Sequence, residues 1–365
     1  MRKNIIFIFS LLIVFMLEGC DAMQNDQPKE NMDTVDDVKD VAMVDIALTE
    51  EIVELEEGLS AVWYEGNYGF DKFLSSGGAG SDEEVIEFLI QNLLGNLDMG
   101  FVGEIFGCST IAAQNAEGEV LFGRNFDWNS CDAMVVMSYP ENDYASISTV
   151  NMDFIRQGAG GAAGLALKAD EVRTIAALYA PLDGMNEKGL AVSVNMIQDS
   201  ATINQNTERP DITTTTAIRL LLDKAENADE ALELLRQYDM HASMGMMVHF
   251  AIADSTGKSI VVEYIDNEMV VVETPAVTNF YLAEGERCGI GTEQSHERYE
   301  ILMKTLEENT SMEETEVRDV LDQVSKDNFG EFETTEWSIV FNLSAKKATY
   351  YHREDYTQGY VFTIE

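Results

Sequence analysis

Apolar residues recur with two different periods along this chain. Alternating positions and short apolar runs closed by turn residues predict strands at 108–113, 120–124, 133–138, 146–151, 190–196, 248–253, 259–264, 269–274, 280–282, 337–342 and 348–352. Between them, Asn115–Gly118, Asp254–Gly257 and Ser344–Lys347 read as hairpin turns. A period near 3.6 predicts helices over 215–225, 229–238, 295–305 and 312–324. Nearer the start, Ser81 and Glu84 form a capping box ahead of Val85, Ile86, Leu89, Leu93 and Leu94. Ile52, Leu55 and Leu59 also recur at helical spacing, predicting order from about residue 47. Hairpin strands interrupted by paired helices predict an α+β fold with antiparallel sheets.

The first residues follow another pattern. Arg2 and Lys3 precede an apolar run from Ile5 to Leu17, too short for a permanent span and suited to an export signal. Leu17-Glu18-Gly19-Cys20 resembles a bacterial lipobox, in which cleavage precedes a cysteine that receives lipid. On that reading residues 1–19 are a signal peptide, and lipidated Cys20 anchors an exported protein to the extracytoplasmic face of a membrane. An ordinary secretory signal is the alternative. Residues 20–46 read as an acidic tether, 47–107 as a helical prosegment and 108–365 as the catalytic domain.

Charge narrows the partners. The 365 residues carry 23 basic and 66 acidic side chains, a net charge of -43. Such a polyanion repels nucleic acid, whose binding needs cations against phosphates. Residues 20–107 alone hold 21 acidic and 3 basic side chains. The 45% of hydrophobic residues supports a sizeable core. Four His and four Cys, in no CxxC or HExxH pattern, give poor support for a zinc site.

The stretch that carries chemistry is Gly107-Cys108-Ser109-Thr110-Ile111, then a turn, then Gly123-Arg124-Asn125-Phe126-Asp127-Trp128. A hairpin here returns Arg124 and Asp127 to the side of Cys108. A neighbouring guanidinium raises the thiolate fraction of a cysteine. No histidine stands out as its base. If the chain is cut after Gly107, the freed α-amino group of Cys108, with an ordinary pKa of about 7.7–8.0, takes the thiol proton itself. Cys131 and Cys288 lack such a setting and read as inert or as a disulfide. Phe126, Trp128, Phe154 and Tyr281 read as pocket lining or as core.

These residues resemble the choloylglycine hydrolase family of N-terminal-nucleophile hydrolases, which includes bile salt hydrolases, penicillin V acylases and, more distantly, acid ceramidase. The likeness runs from Cys108 to the C-terminus. It rests on Cys108-Ser109-Thr110, Gly123–Asp127, Asp183–Leu190, Val277-Thr278-Asn279, Glu297-Arg298-Tyr299 and Trp337–Val340. It implies a four-layer αββα fold with two antiparallel sheets between helical layers. It also implies hydrolysis of a linear non-peptide C–N amide bond, with a small acyl amide as substrate and no metal or organic cofactor. Cys108 is then the nucleophile, Arg124 assists the thiol and Asp127 holds the α-amino group. Asn279 supports the oxyanion and the self-cleavage, Arg298 braces the pocket, and Asn195 or a neighbour is the second oxyanion contributor. The 107 residues ahead of Cys108 set the chain apart from bile salt hydrolases and match an acid ceramidase-like leader removed by cleavage. Specific action on bile salts, penicillin V or N-acyl lipids remains an alternative, as does a non-catalytic surface lipoprotein that binds amphiphiles.

Overall fold

The Cys108 hairpin forms for local reasons. Asn115 Oδ1 accepts from the backbone of Glu117 (3.1 Å) and Glu119 (2.8 Å), closing an Asx turn. Gly118 takes the positive φ of +86° that finishes it. The strands Gly107–Gln114 and Val120–Trp128 then pair antiparallel, with Cys108 opposite Phe126 and Thr110 opposite Arg124. The computed structural model describes residues 42–45, 51–94, 107–129, 131–157, 169–326 and 334–365. The chain divides into Met1–Lys39, outside the described residues, and the compact unit Asp40–Glu365. The signal and Cys20 lie outside the described residues.

That hairpin sits in a seven-stranded sheet. Its order is Ala42–Asp45, Gln358–Thr363, Lys347–His352, Thr334–Asn342, Val120–Trp128, Gly107–Gln114 and Ala276–Val277. A nine-stranded sheet runs Glu268–Glu273, Ser259–Ile265, Val248–Asp254, Leu190–Met196, Asp183–Asn186, Ser146–Asn151, Ala133–Tyr139, Leu59–Glu65 and Val53–Glu56. The helices Glu293–Glu308 and Glu314–Gln323 pack on the first sheet, and Thr214–Lys224 and Ala228–Leu235 on the second. Every residue of Val120–Trp128 and Thr334–Asn342 is buried, because one face meets the other sheet and the opposite face meets helices. This is the expected four-layer α+β architecture.

The leader departs from expectation. Over 51–59 the helical spacing of Ile52, Leu55 and Leu59 is overruled, and the chain forms Val53–Glu56 and Leu59–Glu65 around Gly58, whose φ is +86°. In 53–56 burial alternates, so Val53 and Leu55 share one face with a period of two. The β-branched and aromatic run Val62-Trp63-Tyr64 favours the strand that follows. Leu59–Glu65 pairs in parallel with Ala133–Tyr139 along its whole length. Two short helices follow, Phe70–Ser75 and Asp82–Leu89, the latter capped by Ser81 as read from the sequence. Tyr68, Phe70, Phe73 and Phe88 pack with Tyr179 of the main body, ring centroids 5.2–6.3 Å apart. Segment 51–94 is thus built into the sheet and core rather than being an all-helical appendage.

Another difference bears on the site. Residues 280–282 are not a strand; the pairing partner of the hairpin is Ala276–Val277. The chain beyond it wraps Glu263, whose carboxylate accepts from Leu282 N (2.8 Å) and Ala283 N (3.0 Å).

Candidate active site

The period of two along each strand sorts the hairpin side chains. Cys108, Thr110, Arg124 and Phe126 face the nine-stranded sheet. Ser109, Asn125 and Asp127 face the helices. Arg124 and Asp127 are three positions apart and therefore diverge, so the expected thiol–guanidinium–carboxylate cluster is divided between two faces.

On the inner face Arg124 is wholly buried and pairs with Asp183, Nε to Oδ2 at 2.9 Å. Its Nη1 donates to Leu182 O (3.2 Å) and Val194 O (2.9 Å), and its Nη2 reaches Cys108 Sγ at 3.7 Å. Trp337 Nε1 donates to the same Asp183 carboxylate at 3.0 Å. Burial pushes the Asp183 carboxyl up, against Arg124 and the bonds from Thr149 and Trp337 that hold it down.

On the outer face Asp127 pairs with Arg298, Nη1 to Oδ2 at 2.6 Å, and accepts from Thr335 Oγ1 at 2.8 Å. Arg298 lies on Glu293–Glu308, whose N-cap Thr292 accepts from Ser295 N. Ser295 and Arg298, one turn apart, meet the same asparagine. Asn279 N donates to Ser295 Oγ (2.6 Å), and Arg298 Nη2 donates to Asn279 Oδ1 (2.7 Å) and Cys108 O (3.0 Å).

Cys108 lies where these faces meet. Ala276 pairs with Ile111 and Val277 with Thr110. Continued in register, Asn279 falls opposite Cys108, but the ladder has ended there. The asparagine side chain replaces it: Cys108 N donates to Asn279 Oδ1 at 2.9 Å, and Asn279 Nδ2 donates to Met196 O at 2.7 Å. Cys108 is 2% exposed. Burial pushes its thiol above its ordinary value; Arg124, Arg298 and a backbone bond from Met196 pull it down, and Asp127 raises it.

The structure brings Cys108, Arg124, Asn279, Arg298 and Asp127 together. The group on the Cys108 nitrogen is Asn279, however, not Asp127, which stands on the Gly107 side. Asn195 is one residue from the thiol contact: its Nδ2 donates to Thr110 Oγ1 at 2.9 Å, and the Leu190–Met196 strand meets Sγ through the Met196 backbone. Asp183, Trp337 and Thr335 were not singled out for the site, although a fully buried arginine on an inner strand calls for a counter-carboxylate.

Each histidine is engaged elsewhere. His249 bridges Glu263 (3.1 Å) and Thr278 O (2.8 Å), bracing the residue before Asn279. His296 bonds Gly289 O, His241 pairs with Asp211, and His352 with Glu56. Cys108, Cys131 and Cys288 are all free, so the disulfide alternative for the last two is not realised. Phe126 stacks on Trp128 and Trp337, and Phe154 meets Trp128 edge-on, all four buried, which makes them core; Tyr281, also buried, bonds Asp199.

Residues 108–279 match the linear amide C–N hydrolases, choloylglycine hydrolase family. Among solved structures, a mutant of the conjugated bile acid hydrolase from Clostridium perfringens aligns with a TM-score of 0.53 at 18% identity, over 70% of this chain and 92% of that chain. Penicillin V acylase from Agrobacterium tumefaciens gives 0.48 at 18% identity, over 67% and 83%. None of the curated proteins matches by sequence. The bile acid hydrolase likeness gives the fold, that of the N-terminal-nucleophile hydrolases, and the sequence match gives the chemistry class. Over residues 108–279, a little under half of its length, this chain is similar to the choloylglycine hydrolase family of linear amide C–N hydrolases.

Proposed function

We propose that the chain is the precursor of a cysteine amidase, activated by self-cleavage between Gly107 and Cys108. The observation that carries this reading is the grip on the Cys108 backbone: Asn279 Oδ1 on its nitrogen and Arg298 on its oxygen, at the point where the ladder stops. A residue inside an ordinary strand needs neither side chain. An N-terminal residue that must hold a free amine beside its own thiol needs both.

Once the amine is free, it takes the thiol proton and the thiolate attacks the carbonyl carbon of a linear acyl amide. The Met196 amide, which bonds the sulfur, and the Asn279 side chain, which holds the Cys108 nitrogen, are the candidate donors to the oxyanion. The tetrahedral intermediate collapses as the Cys108 ammonium returns the proton to the departing nitrogen. Water then attacks the acyl-thioester, releasing a carboxylic acid and restoring the thiol. In the uncut chain Cys108 is buried, at 2% exposure, which supports a zymogen. Export and lipid attachment at Cys20 complete the proposal and place the amidase on the outer face of a membrane. Incubating the purified chain with conjugated bile acids, penicillin V and N-acyl amino acids, and following amine release alongside intact mass, tests the reading.

Two outcomes follow for the cut. Because burial pushes the Cys108 thiol up, its thiolate fraction grows about tenfold per pH unit through neutrality. Cleavage followed by mass should therefore speed up by about that factor per unit between about pH 6 and pH 8; a flat profile contradicts thiolate attack. The cut leader should also stay in place. Leu59–Glu65 is laddered along its length, and each buried Phe of the aromatic cluster contributes about 1.5–3 kcal/mol. Size-exclusion chromatography should show both fragments co-eluting until denaturant is added; a leader eluting alone would contradict this.

A further inference from the structure

On the face of Gly107 turned away from the thiol lies a lysine outside the family match. Lys326 is 5% exposed, and its Nζ is 3.9 Å from Asp127 Oδ2. A Cβ placed on Gly107 would fall 2.3 Å from that nitrogen, 2.9 Å from Lys326 Cε and 2.9 Å from Asp127 Oδ2. The ammonium therefore packs against the Gly107 α-carbon, one bond from the carbonyl carbon of the Gly107–Cys108 peptide. Its backbone is fixed by the residue that also fixes Asp127. Lys326 N donates to Thr335 Oγ1 (2.8 Å), Thr335 N donates to Lys326 O (3.2 Å), and Thr335 Oγ1 donates to Asp127 Oδ1 (2.8 Å).

Burying a lysine this deeply is costly. Arg298 at 2.6 Å and Thr335 at 2.8 Å are the closer partners of the Asp127 carboxylate. What the ammonium adds is positive charge beside the one peptide bond that the proposed maturation breaks. We propose that Lys326 promotes cleavage of the Gly107–Cys108 bond electrostatically, and that its position is why residue 107 carries no side chain. The inference rests on the self-cleavage proposed above.

In that step Cys108 Sγ bonds to the Gly107 carbonyl carbon. The C–N bond breaks, and the thiol proton ends on the Cys108 nitrogen. Water then attacks the Gly107 thioester, giving the Gly107 carboxylate and returning the thiol. Negative charge gathers on the Gly107 carbonyl oxygen in both tetrahedral intermediates and stays on the carboxylate product. A fixed cation beside Gly107 favours all three.

The test follows cleavage of the full chain by intact mass, with thermal melting as the check on folding. Lys326→Met keeps the length and removes the charge, and should cleave about 100-fold more slowly. Lys326→Arg restores the charge and should cleave within about tenfold of the native chain. If Lys326→Met does not fold, Gly107→Ala carries the test: its methyl displaces Nζ, and cleavage should slow by at least about tenfold. Cleavage of Lys326→Met at the native rate, or Lys326→Arg as slow as Lys326→Met, overturns the role of Lys326 alone. A native chain that never splits between Gly107 and Cys108 overturns the maturation reading, and this inference with it.

Discussion

Cys108→Ala should yield a chain that stays whole and hydrolyses no amide. In the proposed mechanism one sulfur performs both reactions, so one substitution removes both. Ser109 cannot take over, because on this strand it faces the helices while Cys108 faces Arg124 and Met196. Removing a nucleophile of this kind lowers kcat by at least about 10⁴-fold. The fold should survive: alanine fills most of the space of a buried thiol, and the grip of Asn279 and Arg298 is on backbone atoms. Intact mass and an amine-release assay on one sample check this. An active Cys108→Ala chain would remove the sulfur from the mechanism.

Arg298→Leu should be the most disruptive change outside the nucleophile, because one guanidinium joins three groups. It holds Asp127 at 2.6 Å, Asn279 Oδ1 at 2.7 Å and Cys108 O at 3.0 Å. Asp127 would remain buried without its closest cation, at a cost of about 3–5 kcal/mol. Asn279 would lose the donor that orients its oxygen toward the Cys108 nitrogen, so cleavage and turnover should each fall by at least about 10²-fold. Arg298→Lys separates the two effects. A single ammonium can relieve the Asp127 charge but cannot bridge three acceptors in a fixed fork. Urea denaturation should show Arg298→Lys recovering much of the stability, while mass analysis shows cleavage still slow. If Arg298→Leu unfolds at the native midpoint, Asp127 does not depend on this pair.

The hairpin was legible because its signals are local: a turn at Asn115–Gly118 and a thiol at one end of an apolar run. Its register follows from those two features, and so does the meeting of Cys108 with Arg124. What sequence distance hid was orientation. Arg124 and Asp127 look adjacent in a motif, yet a strand sends them to opposite faces, toward Asp183 and Arg298. Those partners lie 59 and 171 residues away in a chain whose pairing is set by tertiary packing. Ile52, Leu55 and Leu59 misled for a related reason: a spacing of three and four fits a helix until Gly58 turns the chain and the sheet edge of Ala133–Tyr139 captures it. The side chain of Asn195 bonds Thr110, while the backbone of its neighbour Met196 meets the sulfur, a distinction of one position along a strand that spacing alone does not show.

The central claim is that the working sulfur belongs to the first residue of the active polypeptide. A reagent specific for 1,2-aminothiols, such as 2-cyanobenzothiazole, reads this directly. On the active protein it should label only the fragment beginning at Cys108, and activity should fall in step with labelling. Full activity in a chain whose Gly107 remains bonded to Cys108, unreactive toward that reagent, would contradict the account.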